Sequence, residues 1–250
     1  MLRKERQSEI LHMLEREGKV VAKELSLKWD VSEDTIRRDL REMDSLGLLK
    51  RVHGGAFPVS AGPVTFIERT EENIDAKKEL ALKGIKLIKD GQVLLLDGGS
   101  TTNLFLAKEI PYDFKGTIIT NSPSISLAVS KHPNIEVILL GGSFFKESLV
   151  TVGFEVIETL KNIRADLCFL GVYSLHPEFG ISIPHLEESY VKRQMINSSD
   201  KIASLVTKRK LNTISNYLIG PVSSLDYLIT EDGSLSYNFN KYKELDIEII

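Results

Sequence analysis

The sequence predicts a two-domain α/β chain: a small helical head, then a larger, largely parallel sheet covered by helices. Three observations predict it. Helical periodicity recurs three times in the first 56 residues and ends in a short alternation around two glycines. From about residue 70, short apolar runs of strand character alternate with helix-length segments, the pattern of strands joined by helical crossovers. Between them, residues 57–69 hold two prolines, a glycine and two hydroxyl residues with little periodicity. The expected domains are therefore 1–56 and 70–250, with 57–69 as a linker. A chain of 250 residues with 42% apolar content can bury roughly 70% of its unfolded surface, enough for a real core.

In the head, Ile10, Leu11 and Leu14 recur at helical spacing, and Gly18 stops that helix. A second short helix fits Ala22 to Lys28 around Leu25. Ser32 is a good N-cap for a third, with Glu33 and Asp34 at its positive end. Ile36, Leu40 and Met43 then share one face, and Gly47 ends the run. Leu48 to Val52 leads into Gly54-Gly55 as a small hairpin.

In the body, a helix carries Ile74, Ala81, Ile85 and Ile88 on one face, and Val93 to Leu96 follows as a buried strand. The expected succession is helix 101–110, strand 117–120, helix 124–131, strand 135–140 and helix 151–163. Leu167 to Val172 is read as a strand, 186–198 as a helix, and Ile202 to Val206 and Tyr227 to Ile229 as strands. The tail from Tyr237, with Tyr242 and Ile247, Ile249 and Ile250, reads as either an edge element or an oligomer contact.

Composition excludes several classes. The net charge is −3, so there is no uniform basic coat, and any nucleic-acid contact must be a local patch. Residues 1–56 carry 12 bases and 11 acids, the remainder 20 and 24, a small asymmetry with the sign a DNA-binding head needs. No apolar run approaches the roughly 20 residues of a membrane span. The charged opening Met1-Leu2-Arg3-Lys4-Glu5-Arg6 is not the pattern of a secretory leader, so the cytoplasm is the expected compartment. The lone Cys168 allows no internal disulfide and reads as a small core side chain. His12, His53, His132, His176 and His185 have no metal-ligand spacing, so neither a metal nor another cofactor is expected. Trp29 reads as a packing residue.

The third helix concentrates Arg37, Arg38 and Arg41 within five residues. At 100° per residue, Arg38 and Arg41 lie opposite the apolar stripe, with Thr35 and Arg37 at its flanks. A basic helix after a tight turn and a second helix has the geometry to enter a major groove, where arginine grips guanine or phosphate. Lys50 and Arg51 on the hairpin are placed to hold the backbone beside it. On charge alone, a solvated face neutralised by Asp39 and Glu42 fits as well.

The local sequence separates the two. Thr35-Ile36-Arg37-Arg38-Asp39-Leu40, followed by Arg51-Val52-His53-Gly54-Gly55-Ala56, resembles the two signatures of the DeoR family of bacterial transcription regulators, intact and in order, and Arg6 matches the family's first-helix arginine. The resemblance implies a winged helix-turn-helix over about 20–39, with Ser32 to Asp39 at the recognition helix and Lys50-Arg51 on the wing. It gives Ser32, Thr35, Arg37, Arg38, Arg41, Lys50, Arg51 and His53 as the DNA-facing set. His53 either meets phosphate or caps the hairpin. Asp39 orients an arginine, since phosphate repels a carboxylate.

In the body, Asp97-Gly98-Gly99-Ser100-Thr101-Thr102 sits where a buried strand turns into a helix. Glycines let backbone N–H groups approach an anion, and the helix N-terminus adds partial positive charge. Thr120-Asn121-Ser122 and Gly141-Gly142-Ser143 stand at two other strand ends. Each loop alone is also explained by turns and caps, but ligands of parallel sheets bind at strand C-termini, so three such loops suggest one pocket. Neither nucleotide-binding glycine pattern is present.

This region is similar to the effector domain of the same family, a domain whose fold is similar to ribose-5-phosphate isomerase A. The matching pieces are Asn73 and Lys77, residues 97–102, Thr120-Asn121, Gly141-Gly142, Asp166 with Gly171, Glu188 and Lys192, and Lys210. The resemblance implies a phosphorylated sugar as effector, with its phosphate on Gly99, Ser100, Thr101 and Thr102 beside Gly98. Asp97 is left to sugar hydroxyls or loop organisation, Asn121 and Asp166 to the sugar, and Lys192 and Lys210 to positive charge. Thr207 stands where the family often has an aspartate, and Lys208 and Arg209 are alternative cations to Lys210. Phe169 stands where the isomerase has a second aspartate, which argues for binding without turnover.

The expected protein is a regulator, in the first instance a repressor of sugar-metabolism genes. Its partners are operator double-stranded DNA, a sugar phosphate and a second copy of itself in a homo-dimer or homo-tetramer, with no membrane. The alternative is a phosphosugar isomerase-like enzyme carrying a DNA-binding head.

Overall fold

A computed structural model describes residues 1–59, 65–231, 242 and 244–250, without the side chains of residues 15 and 16. The head is built from α1 (Arg3–Glu17), β1 (Val20–Val21), α2 (Ala22–Trp29), α3 (Glu33–Ser45), β2 (Lys50–Val52) and β3 (Gly55–Phe57). Gly18, in the left-handed region at φ 72°, closes α1. Ser32 caps α3 by accepting the Thr35 N–H at 3.2 Å. Ile10, Leu14, Leu25, Ile36, Leu40 and Met43 form one core under the three helices, and half-buried Trp29 packs against it, as its packing role required. The strands make a small antiparallel sheet in the order β1-β3-β2. Gly55 is required there: a Cβ would stand 2.0 Å from the Val20 carbonyl oxygen on β1.

The segment expected to be a linker is partly ordered. Residues 60–64 lie outside the described residues, but Phe57 belongs to β3 and Phe66–Glu71 form a helix, α4. Thr65 accepts the Glu68 N–H at 3.3 Å, and Glu68 Oε2 accepts the Thr65 N–H at 2.8 Å, a reciprocal cap. That Thr-x-x-Glu spacing was the readable signal, and six residues were too few to show periodicity.

The body continues with α5 (Ile74–Ile85), β4 (Val93–Leu96), α6 (Thr101–Glu109), β5 (Gly116–Thr120), α7 (Pro123–Val129) and β6 (Ile135–Leu139). Then come β7 (Ser143–Phe145), β8 (Val150–Val152), α8 (Phe154–Lys161), β9 (Ala165–Phe169), β10 (Ser174–His176), β11 (Gly180–Ile183) and α9 (Leu186–Asn197). The last strands are β12 (Ser199–Leu205), β13 (Tyr217–Gly220), β14 (Tyr227–Ile229) and β15 (Glu248–Ile249). Seven strands form the main sheet in the order β15-β14-β12-β9-β4-β5-β6, and every pair is parallel. Alternate residues feed the two flanking cores: Leu95 and Cys168 face one, Leu94, Leu96, Leu167 and Phe169 the other. Each such leucine contributes on the order of 1.5–3 kcal/mol of burial.

The structure corrects the expected succession at several points and decides one open reading. The helix expected from 151 starts at Phe154, because the β-branched Val150-Thr151-Val152 pairs with Ser143–Phe145 as a hairpin. The strand expected over Leu167 to Val172 runs Ala165–Phe169, so Leu170 to Val172 leave the sheet, and the one expected over Ile202 to Val206 runs Ser199–Leu205. β10, β11 and β13 form an antiparallel sheet of three- and four-residue strands, too short to announce themselves. Glu248–Ile249 adds to the edge of the main sheet beside β14, which decides for the edge reading of the tail end; most of the tail from Tyr237 lies outside the described residues.

Head and body touch through the wing. The Phe57 ring lies edge-on to His176 (4.6 Å between centroids) and Phe179 (5.0 Å), Lys50 Nζ donates to Asn216 Oδ1 at 2.8 Å, and the Ile214 N–H donates to the Pro58 carbonyl at 3.4 Å.

Candidate functional site

The first site is the outer face of α3. Ile36, Leu40 and Met43 bury one side of this helix, so Arg37, Arg38 and Arg41 are exposed on the other. Buried Asp39 accepts from Arg6 Nε on α1, a clamp that sets the angle of α3 against α1 and gives Asp39 the orienting role read from sequence. Arg37 pairs with Glu33 one turn back at 2.8 Å. Arg38 and Arg41 have no carboxylate at ion-pair distance among the described residues. Arg37, Arg41, Arg51 and His53 line one groove between α3 and the wing, closed by Gly54 and Gly55. Ser32 and Thr35 share a 2.8 Å hydroxyl contact at the helix entry. Lys50 is turned to the body instead.

The second site follows from strand order. β4 is flanked by β5 on one side and β9 on the other, so the chain changes direction across the sheet at β4/β9, and a crevice opens at the carboxyl ends of those strands. A cleft lies there. Its lining comes from Gly99, Thr101 and Thr102 after β4, Gly171, Val172 and Tyr173 after β9, and Thr207, Arg209 and Lys210 after β12. Arg69 of α4, Lys77 of α5, and Glu188 and Lys192 of α9 complete it, with Ser148 and residues 183–185.

Beneath the cleft, Asp97 organises the loops. Its Oδ2 accepts from the Gly171 N–H at 2.7 Å and from Lys192 Nζ, and its Oδ1 accepts from the Gly99 N–H at 3.2 Å. Lys192 also donates to the Gly171 carbonyl at 3.0 Å. Gly171 must be glycine for this: a Cβ would stand 2.8 Å from Asp97 Oδ2. Asn103 Nδ2 donates to the carbonyls of Asp97 (3.0 Å) and Phe169 (2.7 Å), stitching the ends of β4 and β9.

Five cationic side chains, Arg69, Lys77, Lys192, Arg209 and Lys210, face this cleft with one carboxylate, Glu188. Burial pushes the Lys210 ammonium down to about 7, helped by Arg69, Arg209, Lys192 and Lys77. Burial pushes Lys77 down to about 8, with Arg209 adding to it. Burial pushes the Glu188 carboxyl up, against the pull of Lys192, and its Oε1 accepts from Ser148 Oγ at 2.8 Å. Thr207 Oγ1 is buried without a hydrogen-bond partner among the described residues.

The structure thus brings together Gly99, Thr101, Thr102, Lys192 and Lys210 of the expected set. Ser100 caps α6 by accepting the Asn103 N–H at 3.4 Å. Asn121 Oδ1 accepts the Gly98 N–H at 2.9 Å and its Nδ2 donates to the Thr151 carbonyl, so Gly98 and Asn121 shape the loop from behind. Gly141 and Gly142 lie outside the lining, beyond β5 and away from β9. Asp166 stands at the opposite, amino end of β9 and accepts the Val93 N–H at 2.7 Å. The three loops that converge follow β4, β9 and β12, not the expected β4, β5 and β6. Arg69 was not named from the sequence; Lys77 and Glu188 were named only as pieces matching the family's effector domain, and Arg209 only as an alternative cation to Lys210.

A helix-turn-helix with an exposed arginine face, joined to an α/β body with a cationic cleft at its switch point, defines a transcription regulator with a sensor domain. Residues 6–60 match the DeoR-like helix-turn-helix domain, and residues 72–232 match the DeoR C terminal sensor domain. The chain belongs to the DeoR family. It is 32% identical to the HTH-type transcriptional regulator GolR of Listeria innocua over 98% of this chain and 97% of that one. It is also 32% identical to the HTH-type transcriptional repressor GlcR of Bacillus subtilis, over 92% of this chain and 89% of that one. Among solved structures, a D-ribose-5-phosphate isomerase in complex with phospho-erythronic acid is similar over 55% of this chain and 54% of that one, with 16% identity and a TM-score of 0.41. No helix among the described residues is long and apolar enough to cross a membrane.

Proposed function

We propose that this regulator is a repressor of sugar-metabolism genes that releases or grips operator DNA according to a phosphorylated sugar bound in the body cleft. The observation that carries the reading is the donor set of that cleft: five cationic side chains line it with one carboxylate, and Arg69, Lys77 and Lys210 have no carboxylate at ion-pair distance among the described residues, at the switch point of a parallel sheet and at the N-terminus of α6. A phosphomonoester carries −1.5 to −2 near neutral pH, and its oxygens accept from helix N–H groups and ammonium donors alike. Thr101 and Thr102 at the start of α6, with Lys77, Lys192 and Lys210, form the anion end. Glu188 and Ser148 are the polar pair for sugar hydroxyls. In the head, Arg37, Arg38, Arg41, Arg51 and His53 contact DNA with Ser32 and Thr35. The active form is a dimer or tetramer, because one near-neutral head binds weakly and two linked heads gain effective concentration on a symmetric operator.

Turnover is not part of this reading. Asp97 is engaged by Lys192 and two backbone N–H groups, and apolar Phe169 lies in the core. With Asp97 so engaged, Glu188 is the one carboxylate lining the cleft among the described residues, and a proton relay needs a placed acid and base.

The test is a thermal-shift panel of sugar phosphates and their unphosphorylated sugars against the full chain. A ligand at about 100 times its Kd adds roughly 2.7 kcal/mol, which raises Tm by on the order of 5–10 °C. The expected result is a shift with one or a few phosphosugars and none with the free sugars. Equal shifts with a sugar and its phosphate would overturn the reading.

A further inference from the structure

The cations of the cleft differ in what already holds them. Lys192 is held by Asp97, Arg209 by Glu72 at 2.6 Å, and Lys77 by the carbonyls of Arg69 and Glu72. Lys210 donates to the Val172 carbonyl. Arg69 is held least. Among the described residues its Nη2 reaches only the Gly99 carbonyl, at the long distance of 3.5 Å, and its Cζ lies 5.8 Å from the Phe66 ring centroid. Among the described residues no carboxylate comes within ion-pair distance of it. A half-buried guanidinium with five N–H donors and one long hydrogen bond is a donor set for an oxyanion.

Its position gives that donor set a consequence. Arg69 belongs to α4, in the stretch between the last strand of the head and the first long helix of the body. Phe66 plants the helix in the body core, and its N–H donates to the Glu147 carbonyl at 3.2 Å. Buried Lys77 grips the end of α4 through the Arg69 and Glu72 carbonyls. The contact with Gly99 places the guanidinium beside the first turn of α6, where Thr101 and Thr102 line the same cleft.

We propose that Arg69 is a ligand of the phosphoryl group in this cleft, and that through it the interdomain helix α4 closes over a bound sugar phosphate. The proposal rests on the phosphosugar reading above. A phosphoryl oxygen exchanges the long bond to Gly99 for charge-assisted bonds to the guanidinium. The segment leading to the head is then tied to occupancy of the cleft.

The test uses the full chain, with inorganic phosphate, ribose 5-phosphate and glucose 6-phosphate as probes. Calorimetry gives each Kd for wild type, Arg69→Gln and Arg69→Lys, and hydrogen exchange is read on the peptides covering 66–71, 99–109 and 186–197. In wild type, the probes that bind should slow exchange in all three peptides. Arg69→Gln should weaken them by about tenfold or more, about 1.4 kcal/mol per decade, with Arg69→Lys in between. The Gln variant should keep the slowing at 99–109 and lose it at 66–71. Melting temperatures verify that each variant folds, and Arg69→Lys carries the test if Arg69→Gln does not. Affinity of Arg69→Gln within twofold of wild type, or wild-type exchange that slows at 99–109 but not at 66–71, would overturn the role of Arg69 and leave the pocket reading standing. No binding of any probe to wild type would overturn both.

Discussion

Asp97 and Lys192 are each almost wholly out of water and neutralise one another beneath the cleft floor. Removing one partner of such a pair leaves a buried charge, at a cost of about 3–5 kcal/mol. Lys192→Met should therefore lower the stability of the body by about that amount in urea unfolding, while Asp97→Asn with Lys192→Met together should cost less than the two single changes added. Lys210 makes a second residue-scale prediction. Its ammonium is pushed from 10.5 down to about 7 in the folded chain, so the unfolded chain binds the extra proton between those values. Stability should accordingly rise with pH across that window through this group. Phosphosugar affinity should do the reverse, falling as pH rises through about 7 to 8 while Lys210 and then Lys77 lose their charge in the free protein. Calorimetry from pH 6.5 to 9 checks it, and Lys210→Met should flatten the lower part of the profile.

At the scale of elements, α3 is the helix we propose to carry the DNA contact, and its arginines are not equivalent. Arg37 is paired with Glu33, whereas Arg38 is exposed and free of carboxylates among the described residues. Arg38→Ala should cost about 1–3 kcal/mol of operator affinity, roughly the worth of one bidentate base contact. Arg37→Ala with Arg38→Ala should abolish specific binding and leave phosphosugar binding intact. Fluorescence anisotropy on a duplex recovered by in vitro selection measures both. The head was legible because its signals are local: the Ser32 cap, the apolar stripe at Ile36, Leu40 and Met43, and Gly54 at the turn of the wing all act within a few residues or one hairpin. The cleft was half legible. Gly99, Thr101 and Thr102 follow directly from a strand-to-helix turn. Arg69, Lys77 and Glu188 enter it from three helices, and their convergence depends on which strands are neighbours. Sequence adjacency pointed to the loops after β5 and β6, whereas the sheet places β9 and β12 on the other side of β4. Asp166 shows the same limit: five residues along the chain separate it, at the amino end of β9, from Gly171 in the cleft.

At the scale of the molecule, the wing and the cleft share a wall. β10 and β11 begin and end in cleft-lining residues, Tyr173 before and Pro184 after, and Phe57 of the wing sits on His176 and Phe179 of the same hairpin. Lys210 reaches that wall through the Val172 carbonyl. Allosteric coupling between sites is typically 1–3 kcal/mol and acts in both directions. Phe57→Ala should leave phosphosugar affinity unchanged in the absence of DNA and shrink the effect of phosphosugar on operator affinity. Measuring DNA affinity of the variant with and without ligand separates the two.

The most direct measurement is operator affinity of the wild-type chain, by anisotropy at fixed salt, titrated with the phosphosugar that shifts its melting temperature and with the same sugar unphosphorylated. The expected result is a change in operator Kd of about 5- to 150-fold with the phosphosugar, corresponding to 1–3 kcal/mol of coupling, and none with the free sugar. An operator affinity that stays constant while the cleft is saturated would contradict a regulator controlled through that cleft.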